Sequence, residues 1–140
     1  MTTPSEMNDF NKQVVDEFRA NAGKVGGMFE GKNVLLLTTI GAKSGAERLS
    51  PLVYTRDGDR YVIAASMGGA PKNPAWYHNL VANPKVTVEV GTEKFQGTAT
   101  VIADRAERDR LYAGMVEHAE GFADYEKKTD RLIPIVVLER

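Results

Sequence analysis

The sequence predicts an α+β domain in which about six antiparallel strands form a barrel-like sheet with helices packed around it. Strand-like runs follow one another through short turns, and helical patterns occur only at the start, in the middle and near the end of the chain. A doubly wound parallel sheet would need a helix between most strands, and the pattern does not supply those helices. The 140 residues contain no repeat and no linker, so we expect one domain over residues 1–140.

Composition excludes several classes of protein. Eighteen basic and 19 acidic residues give a net charge of −1, which offers no general attraction for nucleic acid. The chain has no cysteine, so disulfides, thiolate nucleophiles and cysteine-ligated metal sites are excluded. No run approaches the roughly 20 apolar residues that span a bilayer, and no basic start precedes an apolar run. We therefore expect a cytoplasmic protein without an integral membrane segment.

The first predicted element is a helix that follows a short tail. Ser5 is a suitable N-cap, and apolar residues recur at helical spacing from Met7 to Ala22 before Gly23 ends the pattern. The opposite face mixes acidic and basic residues, so packing against a sheet is favoured over binding to a membrane surface. The tail and helix take residues 1–22, and the barrel takes residues 34–140.

Three predicted strands follow, each antiparallel to the one before it. Two extended, apolar runs at residues 34–40 and 49–56 flank a glycine-bounded turn and predict a β-hairpin. Pro51 lacks an amide proton, so its strand lies at an edge or is locally irregular. An Asp-Gly pair then predicts a tight turn into a third strand over residues 60–65.

The second half of the chain contains three predicted strands and the remaining predicted helices. A glycine-rich loop leads to Asn73, the expected N-cap of a short helix that ends near Val81. Asp104 and Glu107 have the spacing of a capping box at the start of a longer helix. The remaining elements are strands over residues 86–90 and 95–102, a helix over 104–117, a short segment over 122–129 and a final strand over 133–138.

Lys43, Ser44 and Arg48 lie in or just after the first hairpin turn. A single lysine or arginine is usually a solvated surface charge. Here two glycines let the backbone approach a ligand, Ser44 adds a hydrogen-bond donor, and the guanidinium fork of Arg48 suits a phosphate group. Together these residues predict a site for an anionic ligand.

The remaining polar residues argue against a metal enzyme. His78 and His118 are the only histidines, and neither has a second ligand at helical spacing. No nucleophile elbow or dinucleotide-binding fingerprint occurs, so an enzyme of this sequence would take its chemistry from a cofactor. Trp76 is a core or interface anchor, and the start of its helix can present amides to an anionic or carbonyl group.

A larger set of residues from about Val34 to Arg140, in order and with near-constant spacing, resembles the deazaflavin-dependent nitroreductases. The set comprises Leu37-Thr38-Thr39, Gly41, Lys43, Ser44-Gly45, Arg48, Pro51, Ala65-Ser66, Gly68-Gly69, Pro74, Trp76-Tyr77, Asn79-Leu80, Asn83-Pro84, Tyr125, Thr129, Arg131, Ile133-Pro134 and Val136-Val137-Leu138. Each piece is weak by itself, and the combination is specific.

The resemblance implies a split β-barrel like that of the pyridoxamine-phosphate-type flavin oxidases. It implies coenzyme F420, an 8-hydroxy-5-deazaflavin with a phospholactyl-oligoglutamate tail, as the cofactor. The implied reaction is transfer of a hydride from C5 of reduced F420 to an electron-poor small molecule, such as an enone, a quinone or a nitroaromatic compound. The alternatives are a carrier that binds F420 or another planar ligand without turnover, and an FMN-dependent oxidoreductase on the same barrel.

The resemblance also implies roles for individual residues. Lys43 and Arg48 would hold the phosphate and the tail. Further cofactor contacts are expected for Ser44, Ser50, Pro51, Ala64, Ala65, Ser66, Met67, Gly68, Gly69, Trp76 and Asn79. Substrate contacts are expected for Val53, His118, Phe122 and Tyr125. Water or Tyr125 would protonate the product.

Two positions depart from the family pattern. Met67 stands where many relatives have lysine, which removes one expected contact to the phosphate or tail and leaves Lys72 as a substitute. Val53 stands where a relative active on nitroimidazoles has tyrosine, which puts activity on that drug class in question. The N-terminal helix varies within the family, and the resemblance leaves two alternatives for it, a lid over the site and a peripheral membrane contact. We expect a monomer or a homodimer.

Overall fold

Seven antiparallel strands form one sheet and four α-helices pack against it in the computed structural model, which describes residues 9–29 and 31–140. The strands are β1 (Val34–Ile40), β2 (Glu47–Val53), β3 (Thr55–Asp57), β4 (Arg60–Ala64), β5 (Lys85–Val90), β6 (Glu93–Val101) and β7 (Ile135–Glu139). The helices are α1 (Asp9–Ala20), α2 (Ala75–Ala82), α3 (Arg105–His118) and α4 (Gly121–Lys128), and single 3₁₀ turns cover Gly27–Phe29 and Met67–Gly69.

The strand order shows that the sheet curls into a barrel. The order is β2-β1-β5-β6-β7-β4-β3, and every neighbouring pair is antiparallel. β2 and β3 are the two edges of the sheet, yet Tyr54 alone separates them in the chain. Because one residue spans at most about 3.6 Å, the two edges must meet at Tyr54. The predicted antiparallel barrel is confirmed.

The extended run at residues 49–56 differs from its prediction as a single strand. β2 pairs with β1 along its whole length, from Val34 opposite Val53 to Ile40 opposite Glu47. The predicted hairpin is therefore confirmed. After Tyr54 the same run becomes β3, which pairs with β4 at the opposite edge. A periodic pattern could not reveal this change, because the residues on both sides of Tyr54 stay extended.

Side-chain alternation divides the apolar residues between the barrel interior and two outer layers. Leu35, Leu37, Ile63, Val88 and Leu138 point inward, where Trp76 and Leu80 of α2 join them. On the outer face, α1 packs on β1 and β2, whereas α3 and α4 cover β4 and β7. The predicted packing of the N-terminal helix on the sheet is confirmed by Phe18, which is 1% exposed.

The ends of the helices test the capping predictions. The amide of Gly23, at φ 93°, donates to the carbonyl of Phe18 (2.8 Å) and ends α1 as predicted. The carboxylate of Asp104 accepts the amide of Glu107 (2.9 Å) and caps α3. Asn73 is not a cap: Pro74 holds the N-cap position of α2, and the Asn73 side chain binds elsewhere. Ser5, the predicted cap of α1, lies outside the described residues.

Candidate functional site

A split in the barrel opens where its two edges diverge from Tyr54. β2 pairs with β1 only, so its outer edge has no strand partner in the described chain. β3 covers β4 from Arg60 to Val62 and leaves the same edge uncovered at Ile63 and Ala64. If the register of β3 and β4 continued, Val53 would stand opposite Ala64, but no ladder joins them. The split is thus bordered by β2 on one side and by the end of β4 with its following loop on the other.

The turn between β1 and β2 forms one end of this split. The amide of Gly41 donates to Ala46 O (2.7 Å), and the amide of Gly45 donates to Gly41 O (2.9 Å). Gly45 has φ 71°, and a Cβ on Gly41 would lie 2.5 Å from Ser44 Oγ. That hydroxyl oxygen accepts the amide of Ala46 (3.1 Å). The two glycines are therefore required for a tight turn, which leaves the side chain of Lys43, the middle one of the three residues between them, in solvent.

Neither of the two predicted cations has an ion-pair or hydrogen-bond partner among residues 9–29 and 31–140. Lys43 is exposed and forms no ion pair or hydrogen bond within the part of the chain that the structure describes. Arg48 is half-buried, and its Nε is the one buried side-chain nitrogen or oxygen that lacks a hydrogen-bond partner among the described residues. A buried donor left unpaired costs about 1–3 kcal/mol. An anionic ligand at Arg48 would remove that cost.

The predicted site residues of β2 lie on two different faces. Arg48 stands opposite Thr39 and Ser50 opposite Leu37, so both share the inner face of the sheet. Pro51 and Val53 alternate with them and lie on the outer face. The structure therefore brings Ser50 together with Arg48, and it separates Ser50 from Pro51.

Trp76 and Asn79 of α2 hold the barrel together beneath the turn. Trp76 is 8% exposed and packs in the barrel interior with Leu37 and Ala65. The side-chain amide of Asn79 donates to Thr39 Oγ1 (3.2 Å), and its carbonyl accepts the amide of Ala42 (2.9 Å). Asn79 thus fixes the turn that carries Lys43. Direct cofactor contacts of these two side chains stay predictions.

The loop after β4 lies across the split from the turn. Ser66 is 7% exposed, and its carbonyl accepts the amide of Gly69 (2.9 Å). Met67 and Gly69 have φ 47° and 87°, and such values strain any residue with a side chain. Gly68 lies between them, and the side chain of Met67 is 49% exposed. The loop therefore has a strained, closely defined backbone beside the split, as expected of a ligand-binding segment.

Arg131 binds this loop from the opposite end of the sequence. Its guanidinium donates to the carbonyls of Ala65 (3.0 Å), Ser66 (2.9 Å) and Ala70 (2.9 Å). It also donates to Asn73 Oδ1 (2.6 Å). Sequence reasoning gave Arg131 no role beyond its place in the family resemblance. No local pattern could have found these contacts, because three of the acceptors are backbone carbonyls about 60 residues away in the chain.

Three of the four predicted substrate contacts lie together in one apolar cluster, and His118 lies outside it. Val53, Phe122 and Tyr125 belong to one apolar cluster with Ala64. The ring of Phe122 is 7% exposed and meets Tyr125 edge-on at 5.3 Å between centroids. The Nε2 atom of His118 accepts the amide of Asn33 (2.8 Å), which precedes β1.

A buried tyrosine holds the backbone at Phe122. Tyr112 of α3 donates its hydroxyl to the carbonyl of Phe122 (2.6 Å). Burial raises the pKa of Tyr112 to about 12, so the hydroxyl stays protonated and keeps donating at physiological pH. Phe122 is therefore fixed both by this bond and by its packing.

Four open clefts of about 330 to 720 Å³ are lined by residues other than Lys43 and Arg48, and the largest of these four lies between the loop after α1, Tyr54 and the β5–β6 turn. Arg48, on β2, borders the split instead. In residues 9–29 and 31–140, no group of three or more acidic or histidine side chains could hold a metal ion. No helix of that part of the chain is long and apolar enough to cross a membrane.

The model of the F420H2-dependent quinone reductase family matches residues 10–140. The chain belongs to this family. An F420H2-dependent quinone reductase of Mycobacterium tuberculosis is 42% identical over 126 residues, which cover 88% of this chain and 85% of that protein. The solved structure of an F420H2-dependent reductase has 41% identity and a TM-score of 0.69 over 76% of this chain and 93% of that one. A chain described as a domain-swapped dimer has 36% identity and a TM-score of 0.72 over 94% and 98%.

A more distant likeness concerns the fold alone. A solved structure from Listeria innocua, named for pyridoxamine 5′-phosphate oxidase, has 12% identity and a TM-score of 0.55 over 93% of this chain and 92% of that one. With the closer F420H2-dependent reductase, it confirms the split β-barrel expected from the sequence. A shared barrel does not by itself assign a function.

Membership in the F420H2-dependent quinone reductase family confirms the predicted class of enzyme. The protein is an F420-dependent oxidoreductase, and coenzyme F420 is its cofactor. Membership disfavours both alternatives, the carrier without turnover and the FMN-dependent oxidoreductase. Roles of individual residues are not fixed by membership, and they stay predictions.

Proposed function

We propose that this F420H2-dependent reductase reduces a quinone at the split between β2 and β4. The observation that supports the proposal is the unpaired, buried Nε of Arg48 beside the unpaired Lys43 at one end of that split. An anionic tail fits this pair, because two cations without carboxylate partners lie where a turn brings the backbone close. Bound there, F420H2 supplies the hydride.

Lys43 and Arg48 have the task of binding the tail. The guanidinium of Arg48 can donate from Nε and one terminal nitrogen to two oxygens of a phosphate, and Lys43 adds a second positive charge. Ser50 shares the inner face of β2 with Arg48, so it borders the same split. Exposed Lys72 lies in the loop across the split and can meet the more distal carboxylates in place of the lysine that Met67 replaces.

The loop after β4 has the task of orienting the ring. Ala64 lies on the uncovered edge of β4 and Ser66 follows it, so the backbone of Ala64 and the hydroxyl of Ser66 can bind the polar edge of a planar ring, whereas the carbonyls of Ala65 and Ser66 are bound by Arg131. The geometry of this loop is held on one side by Arg131 and on the other by α4. A rigid loop places the ring with little further loss of freedom on binding.

The acceptor would lie against Val53, Phe122 and Tyr125. These side chains supply an apolar, partly aromatic wall that suits a planar quinone. The Tyr125 hydroxyl or a water molecule supplies the proton that completes the reduction. Quinone is favoured over enones and nitroaromatic compounds because the similar M. tuberculosis protein is named a quinone reductase.

Turnover of F420H2 by the purified protein tests this function. We expect many equivalents of F420H2 to be oxidised with a soluble naphthoquinone, and fewer per minute with an enone or a nitroaromatic compound. A carrier would oxidise at most one equivalent. An FMN titration in parallel should show weaker binding than F420, and tighter FMN binding would contradict the cofactor assignment.

We also propose a homodimer, from the two oligomeric states that the sequence allows. The chain described as a domain-swapped dimer aligns with 94% of this one. Sedimentation equilibrium should give twice the mass of one chain, and a single-chain mass would contradict the proposal.

A further inference from the structure

Arg131 makes four hydrogen bonds to the loop that borders the split, and none of its acceptors carries a charge. Three are the carbonyls of Ala65, Ser66 and Ala70, and the fourth is Asn73 Oδ1. All three nitrogens of the guanidinium are used. An ion pair with a carboxylate would use one or two of these nitrogens. The use of all three indicates that Arg131 holds the backbone of the loop.

The loop that Arg131 holds needs such support. Met67 adopts φ 47°, which costs about 1–2 kcal/mol for a residue with a side chain, and nothing in its exposed side chain offsets that cost. The contacts of Arg131 begin just before Met67 and resume just after Gly69. The guanidinium therefore ties both ends of the strained turn to one rigid plane.

The same arginine connects this turn to the acceptor side. Arg131 follows α4, which carries Phe122 and Tyr125 and packs on the Met67–Gly69 turn. A Cβ on Gly69 would lie 3.1 Å from Tyr125 O, so the turn and the helix are in close contact. A shift of Arg131 would move the loop and the helix relative to each other.

We propose that Arg131 is a positioning residue, which sets the distance between the ring-binding loop at Ser66 and the acceptor wall on α4. This inference rests on the proposed function of the split. It separates two tasks: Lys43 and Arg48 determine how tightly the cofactor binds, and Arg131 determines how well the bound ring and the acceptor are aligned.

The variants Arg131→Lys and Arg131→Ala test the proposal. Lysine keeps the charge but has no planar fork, so it cannot bind four acceptors in this arrangement. We expect both variants to lower kcat about tenfold to hundredfold, since a misalignment near 1 Å has effects of that size. The Kd for F420 should change less than about threefold, because the tail clamp, which is the pair Lys43 and Arg48, is intact. Added guanidinium ion should restore part of the kcat of Arg131→Ala and none of that of Arg131→Lys.

A measurement without cofactor follows the loop itself. The amides of Gly69 and Ala70 bond within the loop, so their hydrogen exchange reports its opening. In both Arg131 variants we expect exchange at residues 65–73 to rise at least tenfold, with no change in β1. Arg105→Ala is the matched control, because Arg105 is exposed and pairs only with Asp109. It should alter neither kcat nor loop exchange.

The outcomes separate this inference from the proposed function. Wild-type protein that oxidises no F420H2 would overturn the proposed function, whereas loop exchange would still test whether Arg131 holds the loop. Arg131 variants with wild-type kcat, or with loop exchange unchanged, would overturn the role of Arg131. If both Arg131 variants fail to fold, Asn73→Ala removes one acceptor and keeps the arginine. It should lower kcat severalfold at unchanged Kd, and an unchanged kcat would count against the proposal.

Discussion

The two sides of the split use arginine in opposite ways. On the β2 side, Arg48 has a buried Nε without a partner, and the neighbouring Lys43 is unpaired in the described part of the chain. On the β4 side, every nitrogen of Arg131 is bonded to the loop between Ala65 and Asn73. From this comparison we infer that unmet hydrogen-bonding capacity, and not charge alone, marks the arginine that is expected to bind a ligand.

The largest effect on stability is expected when a glycine on either side of the split is replaced. Gly69→Ala should destabilise the fold by about 2–4 kcal/mol, because left-handed backbone strain adds to a contact of 2.8 Å with Lys128 Cβ. Gly45→Ala has comparable backbone strain but open space around its Cβ, so about 1 kcal/mol is expected. Urea unfolding measures both. Equal losses would show that the β4 side is no more tightly packed than the turn.

The next effect concerns binding on the β2 side. Lys43→Ala and Arg48→Ala should each weaken F420 binding by about 1–3 kcal/mol, because each removes a charge-assisted hydrogen bond. Thermal stability should not fall in either variant. For Arg48→Ala it should rise slightly, because the unpaired buried donor is gone. Lys94→Ala, on an exposed position of β6, is the control and should leave the affinity unchanged. Unchanged affinity in both clamp variants would remove them from the cofactor site.

A smaller effect is expected for Asn79, which supports the turn that carries Lys43. Asn79→Ala leaves the amide of Ala42 and the hydroxyl of Thr39 without a partner, so stability should fall by about 1–2 kcal/mol. Affinity for F420 should fall less than in the clamp variants, because the turn loosens but keeps its charges. Asn83→Ala, at the C-cap that follows α2, is the matched control, because Asn83 is exposed and its side chain accepts one long hydrogen bond, from the amide of Lys85 (3.3 Å). Equal losses in the two variants would contradict the supporting role of Asn79.

The smallest effect lies outside both sides of the split. Hydrogen bonds from Arg110, and then from Arg60, lower the pKa of Asp57 to about 2 at the β3–β4 turn. A folded-state pKa below the unfolded one gives stability that is present above about pH 4 and is lost as the pH falls toward 2. Asp57→Asn should flatten that part of the pH–stability curve, measured by thermal unfolding. An unchanged slope would show that this ion-pair network does not contribute to the loss of stability in acid.

Much of the fold could be predicted because local patterns determine it. Extended apolar runs around a glycine-bounded turn predicted the hairpin of β1 and β2, and glycine and aspartate caps predicted the end of α1 and the start of α3. The change of edge at Tyr54 could not be predicted, since the chain stays extended through it. That change creates the split, so the feature that defines the site is a consequence of topology.

The candidate site was predictable to a similar extent. The turn bearing Lys43 and Arg48 is a local feature, and glycine spacing indicated it. The division of Ser50 and Pro51 between two faces follows from alternation once the inner face is known. Asn73 was wrong as a helix cap, because its side chain accepts from Arg131, 58 residues later. Long-range contacts with backbone carbonyls leave no sequence pattern.

The most direct test of the account is a titration cycle that combines a change in the ligand with a change in the clamp. Wild-type protein and Arg48→Ala are each titrated with F420 and with the same deazaflavin lacking its phosphate and glutamates. The account predicts that removal of the tail weakens binding to the wild type about 5-fold to 150-fold more than it weakens binding to Arg48→Ala, in which Lys43 alone still holds the tail. If Arg48→Ala distinguishes them as strongly as the wild type does, Arg48 does not bind the tail, and the central claim is wrong.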